Sequence, residues 1–531
     1  MKHGKTKNMK RIFLLSIFIT LISFVNVNSQ TAQNPAINEV TRSDNSNEEL
    51  KGFVLDLKNH TALPYANIYA LHKNKGTVSN EKGHFAINIS GLDETDTLRF
   101  QYIGYKTRNL TINELGKSSV VYLKEDIINL SEILIFGSEP DPVAIVKKVL
   151  ENKDLNYKNT TTKNQIFIRE RSTADIETSI KFKKSSFPQL DEDITKLAEK
   201  SVPEHTTSYT DFLGYLYFSE NQDDSLTLKI DPIRAVSLKE KDIAELEQLE
   251  TVFEDLFADT GEKEYWKIKS GVFGQKIDID EENEEPEKDT LNGQDTLKNN
   301  NKMLRYYRRS IARQLKYSLL DDDKEWEFLH KTGRYKYTIA GGTRVNGEDV
   351  YIIDFMPKNS GKYIGRVFIS TNTYALIRAD YEYAPGKTGR DFHLLGIGYI
   401  ENQFDGSIYF EKKDSIYCLK YFSKKEGSHV SIDRNVSLLK KRKRFLFNKK
   451  LNEIKVGVIF AVNSEESIEY LVLDDKEIPH KQFVDFEQKD HLEMIYVDQF
   501  DDKLWKGYAI IEPTQQMREY RKQEADILEQ K

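Results

Sequence analysis

The stretch from Lys51 to Ile135 decides the fold of the first part of the chain, through four runs: Gly52-Phe53-Val54-Leu55-Asp56, Leu63-Pro64-Tyr65-Ala66-Asn67-Ile68-Tyr69, Gly76-Thr77-Val78-Ser79-Asn80-Glu81-Lys82-Gly83-His84-Phe85 and Leu98-Arg99-Phe100-Gln101-Tyr102-Ile103-Gly104-Tyr105. Apolar side chains alternate with others along these runs, as in Phe85, Ile87 and Ile89. Alternation with a period of two places the apolar side chains on one face of a strand. We therefore expect short β-strands, each with one face to bury.

Two glycines interrupt these strands. Gly83 follows Asn80, Glu81 and Lys82 between two strands, and glycine takes a positive φ without steric cost, so this segment predicts a hairpin turn. Gly104 lies inside an apolar strand, where glycine indicates a bulge or a close backbone approach. Both glycines are interpreted as structural.

The same landmarks resemble a carboxypeptidase-like regulatory domain. The resemblance rests on motif positions at Gly52, Pro64, Ala66, Gly83, Phe85, Gly104 and Tyr105. It implies a transthyretin-like β-sandwich over residues 50–136, of a kind found in envelope proteins of Bacteroidota-type bacteria, often ahead of outer-membrane transport barrels. The resemblance therefore implies a localisation in the cell envelope and a protein partner rather than a catalytic activity.

The N-terminus has the layout of a secretory signal peptide over residues 1–29. Basic residues precede the apolar run Ile12 to Val27, and a small residue stands before Gln30, the expected mature start. Met9 is an alternative initiator. An uncleaved anchor is the other interpretation, but the run is shorter than the roughly 20 apolar residues of a spanning helix. We expect an exported protein, periplasmic, associated with the outer membrane or secreted, with no transmembrane span after cleavage.

Length and composition limit the number of domains, the disulfides and the partners that the protein can have. A chain of 531 residues predicts two or three domains. The single cysteine, Cys418, excludes an intramolecular disulfide and lies in an alternating run that predicts a buried strand thiol. The net charge of -7 with 31% charged residues gives no strong field, so nucleic acid is not an expected partner. The basic block from Lys440 to Arg444 is either a solvated loop or strand edge, or a contact for phosphates.

The fold class expected is mainly β with some α. Strand patterns from Tyr335 to Tyr381 predict an antiparallel sheet, similar to the curved half-barrel of periplasmic lipoprotein carriers. Asp141-Pro142 predicts the start of a helix, and residues 184–262 read as a mostly helical insertion. The expected divisions are a flexible N-terminus at 30–49, the sandwich at 50–136, an α+β region with a helical insertion at 137–275, an acidic and Asn-rich disordered loop at 276–302, and an antiparallel β domain with a C-terminal helix at 303–531.

Motifs for catalysis are not found. None of the ten histidines is followed at the third position by Glu, as a zinc carboxypeptidase requires, and no His-Glu-x-x-His occurs. Gly386-Lys387-Thr388 lacks the earlier glycine of a phosphate loop, and no Gly-x-Ser-x-Gly is present. The acidic runs at 321–323 and 501–502 are either cation ligands or solvated turns, and consecutive acids favour solvated turns. No catalytic, metal or cofactor-binding residue is assigned.

Three functions compete. The first is a non-enzymatic envelope protein that binds another envelope protein, such as an outer-membrane protein, through the sandwich, with a role in outer-membrane transport or assembly. The alternative is a periplasmic carrier of a lipid or lipoprotein, in which aromatic residues of the C-terminal sheet line a groove for an acyl chain or glycan, or else simply pack: Tyr335, Tyr337, Tyr351, Tyr363, Tyr374, Tyr381 and Tyr383. The third is a metallocarboxypeptidase-related enzyme, which would bring His393 and His429 together with a carboxylate.

Overall fold

The computed structural model describes residues 49–73, 75–116, 120–127, 140–157, 160–220, 226–239, 263–271, 273–277, 302–444, 447–488, 492 and 494–520. The signal peptide predicted at 1–29 lies outside the described residues. So do almost all of the flexible N-terminus at 30–49 and of the acidic loop at 276–302.

Strands dominate the described chain, with 56% of residues in strands and 16% in helices, which confirms a mainly β fold. The strands are β1 Glu49–Asp56, β2 Asn67–Ala70, β3 Gly76–Val78, β4 His84–Asn88, β5 Thr97–Gln101, β6 Arg108–Thr111, β7 Val120–Leu123, β8 Thr162–Ser185, β9 His205–Glu220, β10 Leu226–Lys239, β11 Glu264–Ser270, β12 Phe273–Ile277, β13 Tyr335–Val345, β14 Glu348–Pro357, β15 Tyr363–Ser370, β16 Leu376–Tyr383, β17 Asp391–Leu394, β18 Ile397–Lys413, β19 Ile416–Arg442, β20 Lys449–Glu477 and β21 Met494–Val497. The α-helices are α1 Ile112–Leu115, α2 Pro142–Glu151, α3 Lys153–Asn156, α4 Glu192–Lys200, α5 Lys302–Ser318, α6 Glu327–His330, α7 His480–Asp485 and α8 Gln515–Glu519.

The first seven strands form a sandwich of two sheets, with orders β4-β1-β7 and β3-β2-β5-β6. Its core is an apolar cluster that includes the fully buried Val54, Leu98 and Phe100. The Phe85 and Phe100 rings meet edge to face with centroids 5.4 Å apart. The alternation read from the sequence is thus the inside and outside of this sandwich.

The third sheet is much larger than the two sheets of the sandwich. Its fourteen strands follow the order β13-β14-β15-β16-β18-β19-β20-β8-β9-β10-β21, with β11, β12 and β17 attached at the side. Pairing is antiparallel except at the short parallel contact between β10 and β21. The antiparallel meander predicted from Tyr335 onward is confirmed as β13 to β16.

Each face of the large sheet packs against a different layer. Along β8, Ile166 and Ile168 face the core formed with helices α2 and α5, whereas Phe167 faces a core formed with the sandwich and the C-terminal segment. Helix α2 begins as the sequence predicts: the Asp141 side chain accepts from the Val143 N–H at 2.9 Å, with Pro142 in the first turn. The molecule therefore has a helix layer, a sheet, and a sandwich layer.

The helical insertion expected over 184–262 is wrong for residues 205–220 and 226–239, which form β9 and β10. In the described part of that segment only α4 is helical. The physical reason is burial on both faces, since Leu213 faces the sandwich layer and Phe212 and Leu216 face the helix layer. A strand buried on both sides does not alternate in polarity. Strands from both predicted regions, 137–275 and 303–531, belong to one sheet.

Three strands are exceptionally long. β8 has 24 residues, β19 has 27 and β20 has 29, so β20 spans about 95 Å at about 3.3 Å per residue. Their far ends, together with β11 and β12, form what we call the arm: residues 175–185, 264–271, 273–277, 428–444 and 447–463. Among the described residues, no helix is both long enough and apolar enough to cross a membrane.

Candidate binding surfaces

The sandwich packs on the large sheet through its turns. Tyr65, at φ 64° directly after Pro64, stacks on Tyr421 of β19 with ring centroids 4.2 Å apart. The Asn80 side-chain amide donates to the Glu512 carbonyl at 2.9 Å, which ties the turn before Gly83 to the C-terminal segment. These contacts fix one end of the sandwich to the sheet.

A second set of contacts surrounds Arg378 of β16. Its guanidinium donates to the Tyr102 hydroxyl at 2.7 Å and to Asp380 at 2.7 Å, and it lies over the Tyr102 ring at 4.2 Å. Gly104 follows at φ 86°, where a Cβ would lie 3.6 Å from the Phe368 ring. The close approach interpreted at Gly104 is therefore an approach to the large sheet.

A continuous row of polar side chains crosses the sheet on the sandwich-facing side. Each member is directly opposite the next on the neighbouring strand, and we call this set the polar row: Asp354, Arg366, Asp380, Ser407, Ser423, Glu469, Arg169 and Asp211. Directly opposed side chains in a sheet are close enough to interact. Eight strands thus meet in one register at a single polar line.

The ends of the polar row are paired charges. Arg169 binds Asp211 through two hydrogen bonds of 2.8 and 2.7 Å, and both side chains are buried. The remaining Arg169 nitrogen donates to the Ile511 carbonyl at 3.0 Å. At the other end Arg366 binds Asp354 at 2.6 and 3.0 Å. These bidentate pairs compensate part of the desolvation of the charges.

Glu469 differs from the other acids of the row. Its Oε1 oxygen is shielded from solvent and accepts no hydrogen bond from the described residues. Burial raises the pKa of this carboxyl to about 7, against the opposing effect of Arg169. Glu469 therefore changes charge near neutral pH on the face of the large sheet that the sandwich covers.

The sandwich positions singled out by sequence lie as follows. Gly83 has φ 77°, and a Cβ there would lie 2.7 Å from the Val54 carbonyl, so both the turn and the close packing require glycine. Gly52 pairs with Phe85 across β1 and β4, and Ala66 is buried with its N–H donating to Ser79 Oγ at 2.9 Å.

The Tyr105 hydroxyl joins the turn after β1 by donating to Asp56 Oδ2 at 2.8 Å. Burial acts to raise the pKa of Asp56, but hydrogen bonds from the Asn59 backbone and from Tyr105 lower it overall. Tyr105 thus has a structural contact rather than a place in a ligand site.

Most of the aromatic residues proposed for a groove are packed in the core. Tyr335, Tyr337, Tyr351, Tyr363 and Tyr381 are all buried. The Tyr335 hydroxyl donates to the buried Glu327 at 2.7 Å, and the Tyr337 hydroxyl donates to the Phe328 carbonyl. Tyr374 and Tyr383 are only partly buried. The packing interpretation fits the five buried rings.

Two of the clefts formed by the described residues are candidate ligand sites. One, of about 460 Å³, is lined by Tyr217, Pro479, Lys481, Gln482, Asp485 and Phe486, with the Tyr217 and Phe486 rings stacked at 4.0 Å. The other, of about 160 Å³, is polar and includes Cys418 and Lys420. Burial raises the pKa of the Cys418 thiol to about 11, so the thiol stays protonated. The thiol is half-buried on β19.

The histidines proposed for a peptidase do not converge on one carboxylate. His393 lies 3.4 Å from Asp391, and His429 contacts Asn463 at 2.8 Å. Within the described ranges, no three His, Cys, Asp or Glu side chains are grouped as a metal site requires.

The acidic runs take part in local structure. Asp322 accepts from the Lys324 N–H at 2.7 Å, and Asp501 accepts from the Lys503 N–H at 2.9 Å. Asp502 pairs with Arg518 at 2.9 Å. These contacts are those of turns and helix caps.

Strand β6 is the end strand of its sandwich sheet. The Ile112 N–H donates to the Asp96 carbonyl at 3.0 Å, so these two residues form a hydrogen-bonded pair. Hydrogen-bonded and non-hydrogen-bonded pairs alternate along an antiparallel ladder. Leu110, two residues before Ile112, therefore bonds to β5, whereas the backbone N–H and C=O of Asn109 point away from β5. Arg108 and Asn109 are exposed. No described residue pairs with these outward groups.

Comparison with known proteins identifies the first domain. Residues 50–135 match the family model of the CarboxypepD_reg-like domain, which is a regulatory-type and not a catalytic domain. The chain thus carries the domain that the sequence resembles, and no enzyme family is found. A search of curated proteins found no match.

Several solved structures are similar at low identity. A LolA superfamily protein from Nitrosomonas europaea is 8% identical, with 65% of this chain and 98% of that chain covered and a TM-score of 0.16. The MucA/MucB complex of Pseudomonas aeruginosa is 8% identical, with 60% of this chain and 93% of that chain covered and a TM-score of 0.17. A putative outer membrane lipoprotein-sorting protein domain from Vibrio parahaemolyticus is 9% identical, with 64% of this chain and 95% of that chain covered and a TM-score of 0.18. TM-scores this low support no conclusion about this chain.

Proposed function

We propose that this protein is an exported, non-enzymatic binding protein of the cell envelope, whose sandwich recognises another envelope protein by strand addition at β6. The observation that carries the proposal is the pair of outward backbone groups on Asn109. An end strand with free N–H and C=O groups is a template for a strand of another chain. The signal peptide layout of residues 1–29 supports export.

The junction with the large sheet gives this edge a fixed position. Tyr65, Asn80 and Tyr102 hold the turns of the sandwich, while Arg108 and Asn109 on β6 are exposed. A rigidly mounted edge loses less entropy when a partner binds than a mobile edge does. The large sheet then acts as the support of the binding edge.

The test compares two substitutions at one residue. Asn109→Pro removes the outward N–H, and its cost to the sheet is small because that group does not bond to β5. Asn109→Ala removes the side chain and keeps the N–H. The mature protein and both variants are purified from the native envelope, and co-purifying proteins and lipids are identified by mass spectrometry.

The proposal expects one stoichiometric protein with the wild type and with Asn109→Ala, and its loss with Asn109→Pro. Retention of the same protein by all three forms would contradict strand addition at β6. The circular dichroism of Asn109→Pro must match that of the wild type, which separates lost binding from lost folding.

A carrier of a lipid or acyl chain is the second candidate. The observation in its favour is the helix layer, because α2 and α5 cover a face of the large sheet that holds the largest apolar cluster of the described residues, although Glu170 and Lys424 also lie on this face. Side chains such as Tyr335 and Trp326 fill that interior, so a carrier would have to move the helices away from the sheet. A stoichiometric lipid in the same mass spectra, with no protein, would favour this candidate.

A further inference from the structure

We propose that the arm carries a docking surface for membranes with anionic headgroups. Six lysines on one face of the arm form what we call the basic patch: Lys181, Lys183, Lys184, Lys267, Lys269 and Lys455. They come from three separate segments, on β8, β11 and β20. This inference is independent of the proposed function of β6.

Strand register places these lysines on a common face. Lys184 lies directly opposite Lys455, Lys455 opposite Ser437, and Ser437 opposite Lys269, so one row crosses four strands. Neighbouring strands are about 4.8 Å apart, which keeps the row within about 15 Å. Lys181 and Lys267 belong to rows of the same parity, two residues away on either side.

Gly457 makes room for one more lysine on this face. A Cβ at Gly457 would lie 3.2 Å from the Lys183 Cε, so the Lys183 side chain extends over the glycine. Lys183 is the extra residue of the β8 bulge opposite Lys455 and Val456. The bulge and the glycine together add a sixth cation to the patch.

The opposite face of the arm is apolar and packed. Ile268, Leu438 and Ile454 lie opposite one another in the adjacent row and join a cluster with Trp266 and Phe187. Alternation therefore turns the lysines away from this cluster. Lys181, Lys183, Lys184 and Lys269 are exposed, and Lys267 and Lys455 are half-buried.

Few acids among the described residues balance the patch. Among the described residues the nearby carboxylate is Glu453, which lies 3.0 Å from Lys184 and is shared with Lys450 at 2.8 Å. Asp433 and Glu177 lie farther from the tip on the same face. Like charges placed directly opposite in a sheet repel, as Lys184 and Lys455 do, and this spacing is within the screening length of physiological salt. An anionic surface would relieve that repulsion.

Exposed apolar side chains favour a membrane over other polyanions. Phe447, in the turn between β19 and β20 at the tip of the arm, is 84% exposed and follows Lys443 and Arg444. Ile459, on the face of the patch, is 44% exposed. Cationic side chains beside exposed apolar ones are the combination that binds the headgroup region of anionic bilayers. Phe447 offers a ring for base stacking at the tip of the arm, but Ile459, the exposed apolar side chain on the face of the patch, offers none, so nucleic acid is the less suitable partner for the patch itself.

The test is vesicle co-sedimentation with the chain from Gln30. The described fold begins at Glu49, so this chain keeps it, whereas the apolar run Ile12 to Val27 would itself enter vesicles. Vesicles of phosphatidylcholine alone are compared with vesicles that contain about one third phosphatidylglycerol, at low and high salt. We expect at least tenfold tighter binding to the anionic vesicles, which high salt weakens.

Charge-matched variants locate the surface. K183Q/K269Q/K455Q removes three cations from the patch, and K82Q/K106Q/K196Q removes three exposed cations elsewhere. The first should lose at least tenfold in binding and the second less than twofold, with melting temperatures that confirm folding. Phe447→Ser should weaken binding several-fold without changing the salt dependence.

The following results would overturn the proposal: equal binding to both vesicle types, equal loss with both triple variants, or patch-dependent binding to single-stranded DNA with none to anionic vesicles. Inorganic phosphate at 10 mM should not displace the protein from vesicles, and full displacement would identify a free-anion site instead.

Discussion

Replacement of Glu469 by Gln should stabilise the protein at alkaline pH, although it removes a charge that lies opposite an arginine. The Glu469 carboxylate is shielded at Oε1 and has no hydrogen-bond donor there among the described residues. Its neighbours in the polar row are Arg169, already paired with Asp211, and Ser423. Burial therefore outweighs the attraction of Arg169, and the pKa rises from 4.5 to about 7.

The sign and size of this change in the free energy of unfolding follow from proton linkage. A carboxyl whose pKa is raised on folding holds its proton in the native state while the unfolded chain loses it, so stability falls as pH rises from about 4.5 to about 7. The whole interval corresponds to about 3 kcal/mol, which is an upper limit. Glutamine keeps the shape of the neutral acid. Glu469→Gln should thus gain about 1–3 kcal/mol at pH 8 and almost nothing at pH 4.5.

The assay is urea unfolding followed by the fluorescence of the buried Trp266, Trp326 and Trp505, at pH 4.5, 6 and 8. Glu453→Gln is the matched control of opposite sign. The side-chain hydrogen bond from Lys450, together with Lys184, lowers the pKa of Glu453 to about 2, so this substitution should lose up to about 1 kcal/mol at pH 8. A loss of stability for Glu469→Gln at pH 8, or a gain independent of pH, would refute the reasoning.

Three further experiments test the packing. Arg169→Met should cost about 3–5 kcal/mol in urea unfolding because it leaves Asp211 buried and unpaired, and a second change, Asp211→Leu, should recover most of it; no recovery would show that the pair is not the cause. Gly83→Ala should lower stability by at least about 2 kcal/mol, whereas Gly91→Ala, at φ 69° with open space around it, should cost about 1 kcal/mol; equal costs would exclude the contact with the Val54 carbonyl. Alkylation of Cys418 in the folded protein should rise about tenfold per pH unit toward a pKa of about 11, measured by mass spectrometry, and rapid labelling at pH 8 would contradict its protonated state.

Local sequence patterns are sufficient to predict an element where one of its faces is solvated. The sandwich could be predicted from alternation and turn residues such as Gly83, and helix α2 from Asp141 and Pro142. β9 could not, because Phe212 and Leu213 are buried on opposite faces and the segment has no alternation to read.

The polar row and the basic patch depend on register between distant segments. Asp211, Arg169 and Glu469 are adjacent only because β9, β8 and β20 pair in one register. The basic block from Lys440 to Arg444 does not mark the position of the patch, since Lys440 is buried and paired with Glu264 at 3.2 Å. Lys455 and Lys184, which belong to the patch, lie outside that block. Single-sequence periodicity contains no such long-range information.

The most direct measurement of the central claim is photo-crosslinking in native cells, with a photoreactive amino acid at Asn109 and, for comparison, at the exposed Lys196 of α4. The account predicts one protein adduct at Asn109 that is absent at Lys196, identified by mass spectrometry. No protein adduct at Asn109, or the same adducts at both positions, would contradict recognition of a partner at β6.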